Sequence, residues 1–274
     1  MSSTATSRIE LTAAQKKQYA DLGYLVIPNI LTVEEMTKYK QKAREYALGQ
    51  IPTGGEKMIV RDVRVARGVL KVDDPELGIW KLLNPDRYDD FFRGYPAHPN
   101  LLDVIEQLIG PDLVAFLIMM IYKPPGVDAV HPFHQDAMYF PFGPHDLILG
   151  TWVPLDHADA ENGTLSVIPG SHKLDVLPHQ SPSGDMVNYG VFGVEGYDNS
   201  PDEVVLDLPP GTGVFFHSHL LHRTGPNFSN RHRRVMTVHY ASAKCKMTDG
   251  FKHPALDFRP VRGQTFPGCI GSEG

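Results

Sequence analysis

A chain of 274 residues is long enough to bury a substantial core in one large domain. Its 42% apolar and 21% charged residues are those of an ordinary globular protein, and a formal charge of −6 gives no electrostatic reason to expect a nucleic-acid partner. Cys245 and Cys269 are too few for a disulfide framework and lack zinc-site spacing. The Ser/Thr-rich residues 1–10 lack the apolar run of a secretory leader, no stretch approaches the length of a membrane span, and residues 271–274 are not a Ser-Lys-Leu address. The expectation is a soluble cytoplasmic protein, a monomer or weak homodimer, without a membrane partner.

Along the chain, Thr12 with Gln15 forms a capping box that opens a short helix, and Gly23 stops it before a strand at 24–27. Thr32 with Glu35 repeats the signal, opening a helix with Met36, Tyr39, Ala43 and Tyr46 along one side and Gly49 at its end. Residues 49–67 read as a loop followed by one strand. Helical patterns are expected over 77–92 and 100–109, closed by Gly110-Pro111.

From Leu113 the character changes to apolar, β-favouring runs separated by Gly, Pro and Asn. Strands are expected at 113–122, 147–155, 163–168, 204–208, 213–216 and 235–241, which suits a jelly-roll or double-stranded barrel enclosing a small ligand. The organisation expected is one domain over 1–274, with a largely helical part (10–112), a β-barrel core (113–245) and a C-terminal extension (246–274). Residues 178–201 have no clear period, and a loop of that length is often an active-site cover.

The chemistry concentrates in His131-Pro-Phe-His-Gln-Asp136 and, downstream, in a Gly-led apolar run ending in His217, His219 and His222. A His and an Asp two residues apart on a strand point to one face. With a second His from another strand, they make the two-histidine, one-carboxylate facial triad that holds Fe(II) and leaves other coordination positions open. Three histidines compete for that third position. Gly211, His217 and His219 also reproduce the opening of the cupin metal motif, but the Glu that motif needs is absent, and His134 and Asp136 would go unused. Glu161-Asn-Gly163 and Pro169-Gly-Ser-His172 read as turns that shape connections.

These residues carry a resemblance to the phytanoyl-CoA dioxygenase family of Fe(II)- and 2-oxoglutarate-dependent oxygenases. The matching segments are Gly23-Tyr-Leu-Val-Ile-Pro-Asn29, Lys123-Pro-Pro125, His131 through Asp136 with Tyr139-Phe-Pro-Phe142, Glu161 through His172, and Phe215-Phe-His217 leading to His222. The resemblance implies a mainly β, double-stranded β-helix (jelly-roll) fold with flanking helices. It also implies a catalytic centre in which His134, Asp136 and His222 ligate iron. The same resemblance implies that dioxygen is consumed, that 2-oxoglutarate is converted to succinate and carbon dioxide as a substrate C–H bond is hydroxylated, and that ascorbate is an optional reductant.

A 2-oxoglutarate held at iron through its 1-carboxylate and 2-keto oxygens needs a fixed cation for its far carboxylate, ideally a bidentate guanidinium. Arg233 is the candidate, with Arg231 and Arg234 leaving the register open, since alternation puts neighbours on opposite faces. The resemblance adds Lys71, Met119, Gln135, Trp152 and Thr224 to the cosubstrate pocket. It favours an acyl-CoA such as phytanoyl-CoA as substrate, with Lys57, Arg61, Arg64, Arg259 and Arg262 available to CoA phosphates, and it makes a peroxisomal location conceivable without an evident targeting signal. The same family holds hydroxylases of free natural products and phosphonates, the alternative substrates. A halogenase is disfavoured because Asp136 keeps the carboxylate that such enzymes lose.

Overall fold

The computed structural model describes residues 8–55, 58–127, 130–180, 192–248 and 256–272. Both capping boxes form. Thr12 Oγ1 accepts from the backbone N–H of Gln15 at 3.2 Å, which opens α1 (Ala13–Leu22), and Gly23 ends it at φ 80, the left-handed conformation that glycine adopts without a steric penalty. Strand β1 (Tyr24–Ile27) follows. Thr32 and Glu35 then cap α2 (Val33–Ala47), which buries Met36, Tyr39, Ala43 and Tyr46.

Beyond a loop, β2 (Ile59–Arg61) leads into the single turn α3 (Val63–Ala66). The helix expected over 77–92 does not form. Pro75 and Pro85 open short 3-10 turns on either side of a strand, β3 (Ile79–Leu83), and α4 (Asp90–Arg93) is one turn long. Nine residues between two prolines leave little room for an amphipathic helix, and β3 pairs with both β2 and the long strand β4 (Leu113–Lys123). Between them α5 (Pro99–Ile109) starts on a proline and stops at Gly110, close to the expected span.

The remaining strands are β5 (His131–His134), β6 (Phe142–Gly143), β7 (Ile148–Pro154), β8 (Leu165–Val167), β9 (Val204–Val205), β10 (Gly213–His217), β11 (His222–Thr224), β12 (Arg233–Ser242), β13 (Lys246–Met247) and β14 (Arg259–Arg262). With β1 to β4 they assemble into a major antiparallel sheet in the order β1-β10-β7-β12-β4-β3-β2, with β14 also on β4, a minor sheet in the order β5-β11-β8-β9, and a separate β6-β13 pair. Thus 10–112 supplies three strands of the major sheet as well as helices, and 246–274 supplies one more.

Strand alternation sorts the core. On β7 and β12 the side chains of Leu149, Val153, Met236, Val238 and Tyr240 join those of α2 and α5 on one side. Trp152 and Val235 turn the other way, toward Leu165 and Val167 of the minor sheet. The architecture is a mainly β jelly-roll with helices covering one face of its larger sheet. No described helix is long and apolar enough to cross a membrane.

One irregularity shapes the interior. Thr237 faces Met119 across β12 and β4, but His239 faces Phe116, so β4 carries one extra residue. Leu117 takes up the slack at φ 52, unusual for a residue with a branched side chain. Asn84 clamps the bulge from β3's end. Its backbone N–H donates to Ile118 O at 2.7 Å and its Oδ1 accepts from Ile118 N at 3.0 Å.

Candidate metal centre

Between the two sheets lies a cavity of about 340 Å³. The minor sheet contributes His134, at the end of β5, and His222, at the start of β11, and these two residues face each other in register. Asp136 sits just past β5, on the first residue of a 3-10 turn. Gln135 between them is still extended at φ −116 and ψ 126, so alternation carries through the strand's end and Asp136 returns to His134's face. The ligand-capable atoms of His134, Asp136 and His222 all lie within 4.8 Å of one another, and among the described residues no other group of three or more His, Cys, Asp or Glu does so.

The backbone sets both tautomers. His134 Nδ1–H donates to Pro132 O at 2.9 Å and His222 Nδ1–H donates to Leu220 O at 2.8 Å. Each Nε2 therefore keeps its lone pair and turns it toward Asp136, whose Oδ1 is 3.5 Å from His134 Nε2 and 3.7 Å from His222 Nε2. Burial lowers the His222 imidazole to about 4, with His134 adding repulsion, so the ring is neutral and available as a ligand at neutral pH. Burial by itself would raise the Asp136 carboxyl, yet the imidazoles of His239 and His222 hold it well below the usual range. The Phe216 ring backs His222 at 4.7 Å and lies over Gly150, where a Cβ would stand 2.4 Å from its Cζ.

Across the cavity, inward-facing positions of β12 present Arg233, Thr237 and His239. Arg233 is 1% exposed, yet its Nε and Nη1 have no hydrogen-bond partner among the described residues. Burial lowers the guanidinium to about 9 against a supporting field from Asp156, and the Trp152 ring lies 5.6 Å away. The register that the sequence left open is resolved by ion pairing. Arg234 is clamped by Asp156 at 2.8 and 2.9 Å, and Arg231 is 2.8 Å from Asp159, so both are engaged outside the cavity.

Thr224, Trp152 and Met119 line the cavity, and Lys123 Nζ donates to Thr224 Oγ1 at 3.1 Å, which leaves the hydroxyl proton free to point inward. Two other expectations land elsewhere. Gln135 is fully buried but turned out of the cavity, because its neighbours point in. Its Nε2 donates to His219 O at 2.9 Å and its Oε1 accepts from Leu177 N at 2.7 Å. Lys71 is exposed, and the lysine on the cavity wall is Lys81 of β3, its ammonium lowered to about 8 by burial. Its signal was the alternation of Lys81 with Leu83, hidden by the helical reading of that stretch. His239 and His131 also line the cavity and were not singled out.

His217 and His219 lie outside the cavity lining. His217 Nδ1 accepts from the His219 backbone at 3.0 Å, and His219 Nε2 is 2.9 Å from His145 Nδ1, so the cupin arrangement is not formed. His172 Nε2 donates to Ala20 O at 3.1 Å. Residues 181–191 of the proposed cover loop, 178–201, fall outside the described residues, as does Lys57.

The family model described as phytanoyl-CoA dioxygenase matches residues 19–235. The chain belongs to the phytanoyl-CoA dioxygenase family. It is accordingly a dioxygenase, with the His134, Asp136 and His222 cluster inside the matched span. It is 33% identical to the mouse protein "Phytanoyl-CoA dioxygenase, peroxisomal" over 243 residues, 87% of this chain and 71% of that one. It is 26% identical to the "Probable alpha-ketoglutarate-dependent hypophosphite dioxygenase" of Stutzerimonas stutzeri over 236 residues, 84% and 79% of the two chains. Among solved structures, the epimerase SnoN in complex with Fe3+, alpha ketoglutarate and nogalamycin RO matches with a TM-score of 0.66 at 20% identity, over 95% of each chain. The shared fold is the jelly-roll described above.

Proposed function

We propose that this dioxygenase binds Fe(II) through His134, Asp136 and His222, uses 2-oxoglutarate and dioxygen, and hydroxylates an alpha or unactivated C–H bond of a small organic substrate with release of succinate and carbon dioxide. The observation that carries the reading is the pairing, in one cavity, of a two-histidine, one-carboxylate cluster with a buried guanidinium whose Nε and Nη1 have no hydrogen-bond partner among the described residues. Both halves fit the groups they would hold: two Nε2 lone pairs and a carboxylate for the metal, and paired N–H donors for a carboxylate.

Bound there, ferrous iron supplies dioxygen activation coupled to oxidative decarboxylation of the 2-oxo acid. The protein's contribution is placement. Arg233 receives the far carboxylate of the cosubstrate, with the Thr224 hydroxyl turned toward it by Lys123 and the Lys81 ammonium adding charge. Leu83, Leu117, Phe140 and Leu256 give the cavity an apolar side on which a hydrocarbon chain is held close to the metal ligands.

Relatives named for phytanoyl-CoA support an acyl-CoA as substrate. A second reading, a substrate without CoA, draws on the state of the basic residues: Arg64 pairs with Asp62, Arg259 with Asp86 and Asp257, and Arg262 with Asp103 and Glu106. Three of the arginines nominated for CoA phosphates thus already have carboxylate partners, whereas Arg61 is exposed. The cytoplasm remains the proposed compartment, against the peroxisomal name of the mouse relative, and imaging of the tagged full-length protein decides it.

The test of the core reading is anaerobic titration with Fe(II) and 2-oxoglutarate. A metal-to-ligand charge-transfer band is expected to saturate at one equivalent and to vanish in Asp136→Ala. Its absence from the unaltered protein removes the reading. Oxygen-dependent succinate release, measured over matched acyl-CoAs and free acids, then separates the two substrate classes.

A further inference from the structure

Asp136 has two carboxylate oxygens, and only one faces the histidine pair. Oδ1 lies 3.5 Å from His134 Nε2 and 3.7 Å from His222 Nε2, whereas Oδ2 accepts a hydrogen bond from His239 Nε2 at 2.8 Å. His239 belongs to neither ligand-bearing strand. It stands on β12 in the opposite sheet, on the inward face shared by Arg233 and Thr237, and is 5% exposed.

Its ring is held from both sides. Phe140 packs edge-on at 5.2 Å and Phe116 lies at 5.8 Å. Phe116 is alongside because the extra residue in β4 shifts the register there, with Leu117 at φ 52 and Asn84 bonded to Ile118. A strained backbone residue beside a cavity persists only where its surroundings fix it. Here it flanks the imidazole that donates to the carboxylate. The other ring nitrogen has only a long contact, 3.5 Å to Leu117 O, so the Asp136 bond is the one that orients the ring.

We propose that His239 is a positioning residue that restricts Asp136 to one-oxygen ligation. A carboxylate whose second oxygen is engaged at 2.8 Å by a buried imidazole N–H cannot swing to chelate a metal with both oxygens unless that bond breaks. The metal then keeps a coordination position that a chelating carboxylate would occupy, the position a two-histidine, one-carboxylate site needs for its co-reactants. The proposal rests on the functional reading above, since it requires that the triad hold a divalent ion.

Co(II) is the probe, because its visible absorption reports coordination number without turnover. The full-length protein and its His239→Gln, His239→Phe and His239→Leu variants are titrated with Co(II), and the melting midpoint of each metal-free form is recorded. The Phe and Leu variants fold and are expected to bind Co(II) about 10–100-fold more weakly, the usual cost of losing a hydrogen-bond partner behind a metal ligand, with an altered visible spectrum. His239→Gln keeps an N–H donor and is expected to restore the spectrum and an affinity within about threefold of the parent. Unchanged affinity and spectrum in the Phe and Leu variants overturn the proposal. So does a Gln variant as weak as Phe, which would make ring shape rather than the donor decisive. So does unfolding of both metal-free Phe and Leu variants, which would make the ring a core support. Failure of the parent itself to bind Co(II) is a different result, which removes the functional reading and this assignment with it.

Discussion

Arg233 is a charge taken out of water with its hydration only partly replaced: it is 1% exposed, and its Nε and Nη1 have no hydrogen-bond partner among the described residues. Such a group destabilises the empty fold and is satisfied by an anionic ligand. Arg233→Met is therefore expected to leave the melting midpoint of the ligand-free protein unchanged or raised, while weakening 2-oxoglutarate binding by about 10–100-fold, the loss of one charged hydrogen-bonding partner, with Fe(II) affinity nearly unaltered. A marked fall in the midpoint would mean that the guanidinium has a partner within the fold. Lys81 gives the same site a pH dependence. Burial lowers its ammonium to about 8, so the cation is present below that pH and lost as pH rises through it. Binding of 2-oxoglutarate is expected to weaken across that window, and Lys81→Met to flatten the profile, as read by calorimetry from pH 7 to 9. The sequence could nominate Arg233 as the cosubstrate's cation but could not show that Arg231 and Arg234 are already engaged by Asp159 and Asp156.

At the scale of elements, capping boxes and left-handed glycines were legible because their determinants lie within four residues, as at Thr12 and Gly23. The strands bearing the ligands were the hardest to recognise. β5 and β11 are short and polar, His131-Pro-Phe-His134 and His222-Arg-Thr224, because their inward positions are given to ligands instead of core side chains. β3 was read as helix for a related reason: its inward residues Lys81 and Leu83 face a cavity rather than a packed core, so the apolar alternation is broken. The bulge of β4 had no sequence signal, since leucine is an unexpected residue at φ 52. Its clamp is testable. Asn84→Ala leaves the buried Ile118 N–H without an acceptor and puts at φ 44 a residue without asparagine's tolerance of the left-handed region, so a loss of about 2 kcal/mol is expected in denaturant unfolding. Asn84→Gly, which accepts that φ freely, is expected to lose about 1 kcal/mol less. Equal losses would place the whole effect on the hydrogen bond.

For the molecule as a whole, helices cover one face of the major sheet and the minor sheet closes the other, so the reactive cavity is walled by two sheets whose strands are distant in sequence. Outside that cavity, β10 ends in a second group of imidazoles. His217 is lowered to about 4, chiefly by burial and then by His219 and His172, and burial also lowers His145 and His172. A histidine with a folded value below its unfolded 6.5 binds its proton more readily in the unfolded chain. The stabilisation is therefore complete above about pH 6.5 and is lost as pH falls toward 4, by at most about 3 kcal/mol for His217 alone. Urea unfolding of the metal-free protein is expected to show stability falling over that interval, with a shallower fall in His217→Gln. A flat profile would mean that these rings reach water.

Local rules settled what they physically govern: where helices start and stop, which residues share a strand face, and that His134, Asp136 and a later histidine can converge on one ion. They act over a few residues, where backbone geometry alone dictates direction. What stands opposite a side chain is decided by pairing between sheets, over separations that no periodicity records. The hydrogen bond from His239 to Asp136, the arrival of Lys81 rather than Lys71 at the cavity, and the unpartnered state of Arg233 Nε and Nη1 exist only once the two sheets have closed on each other.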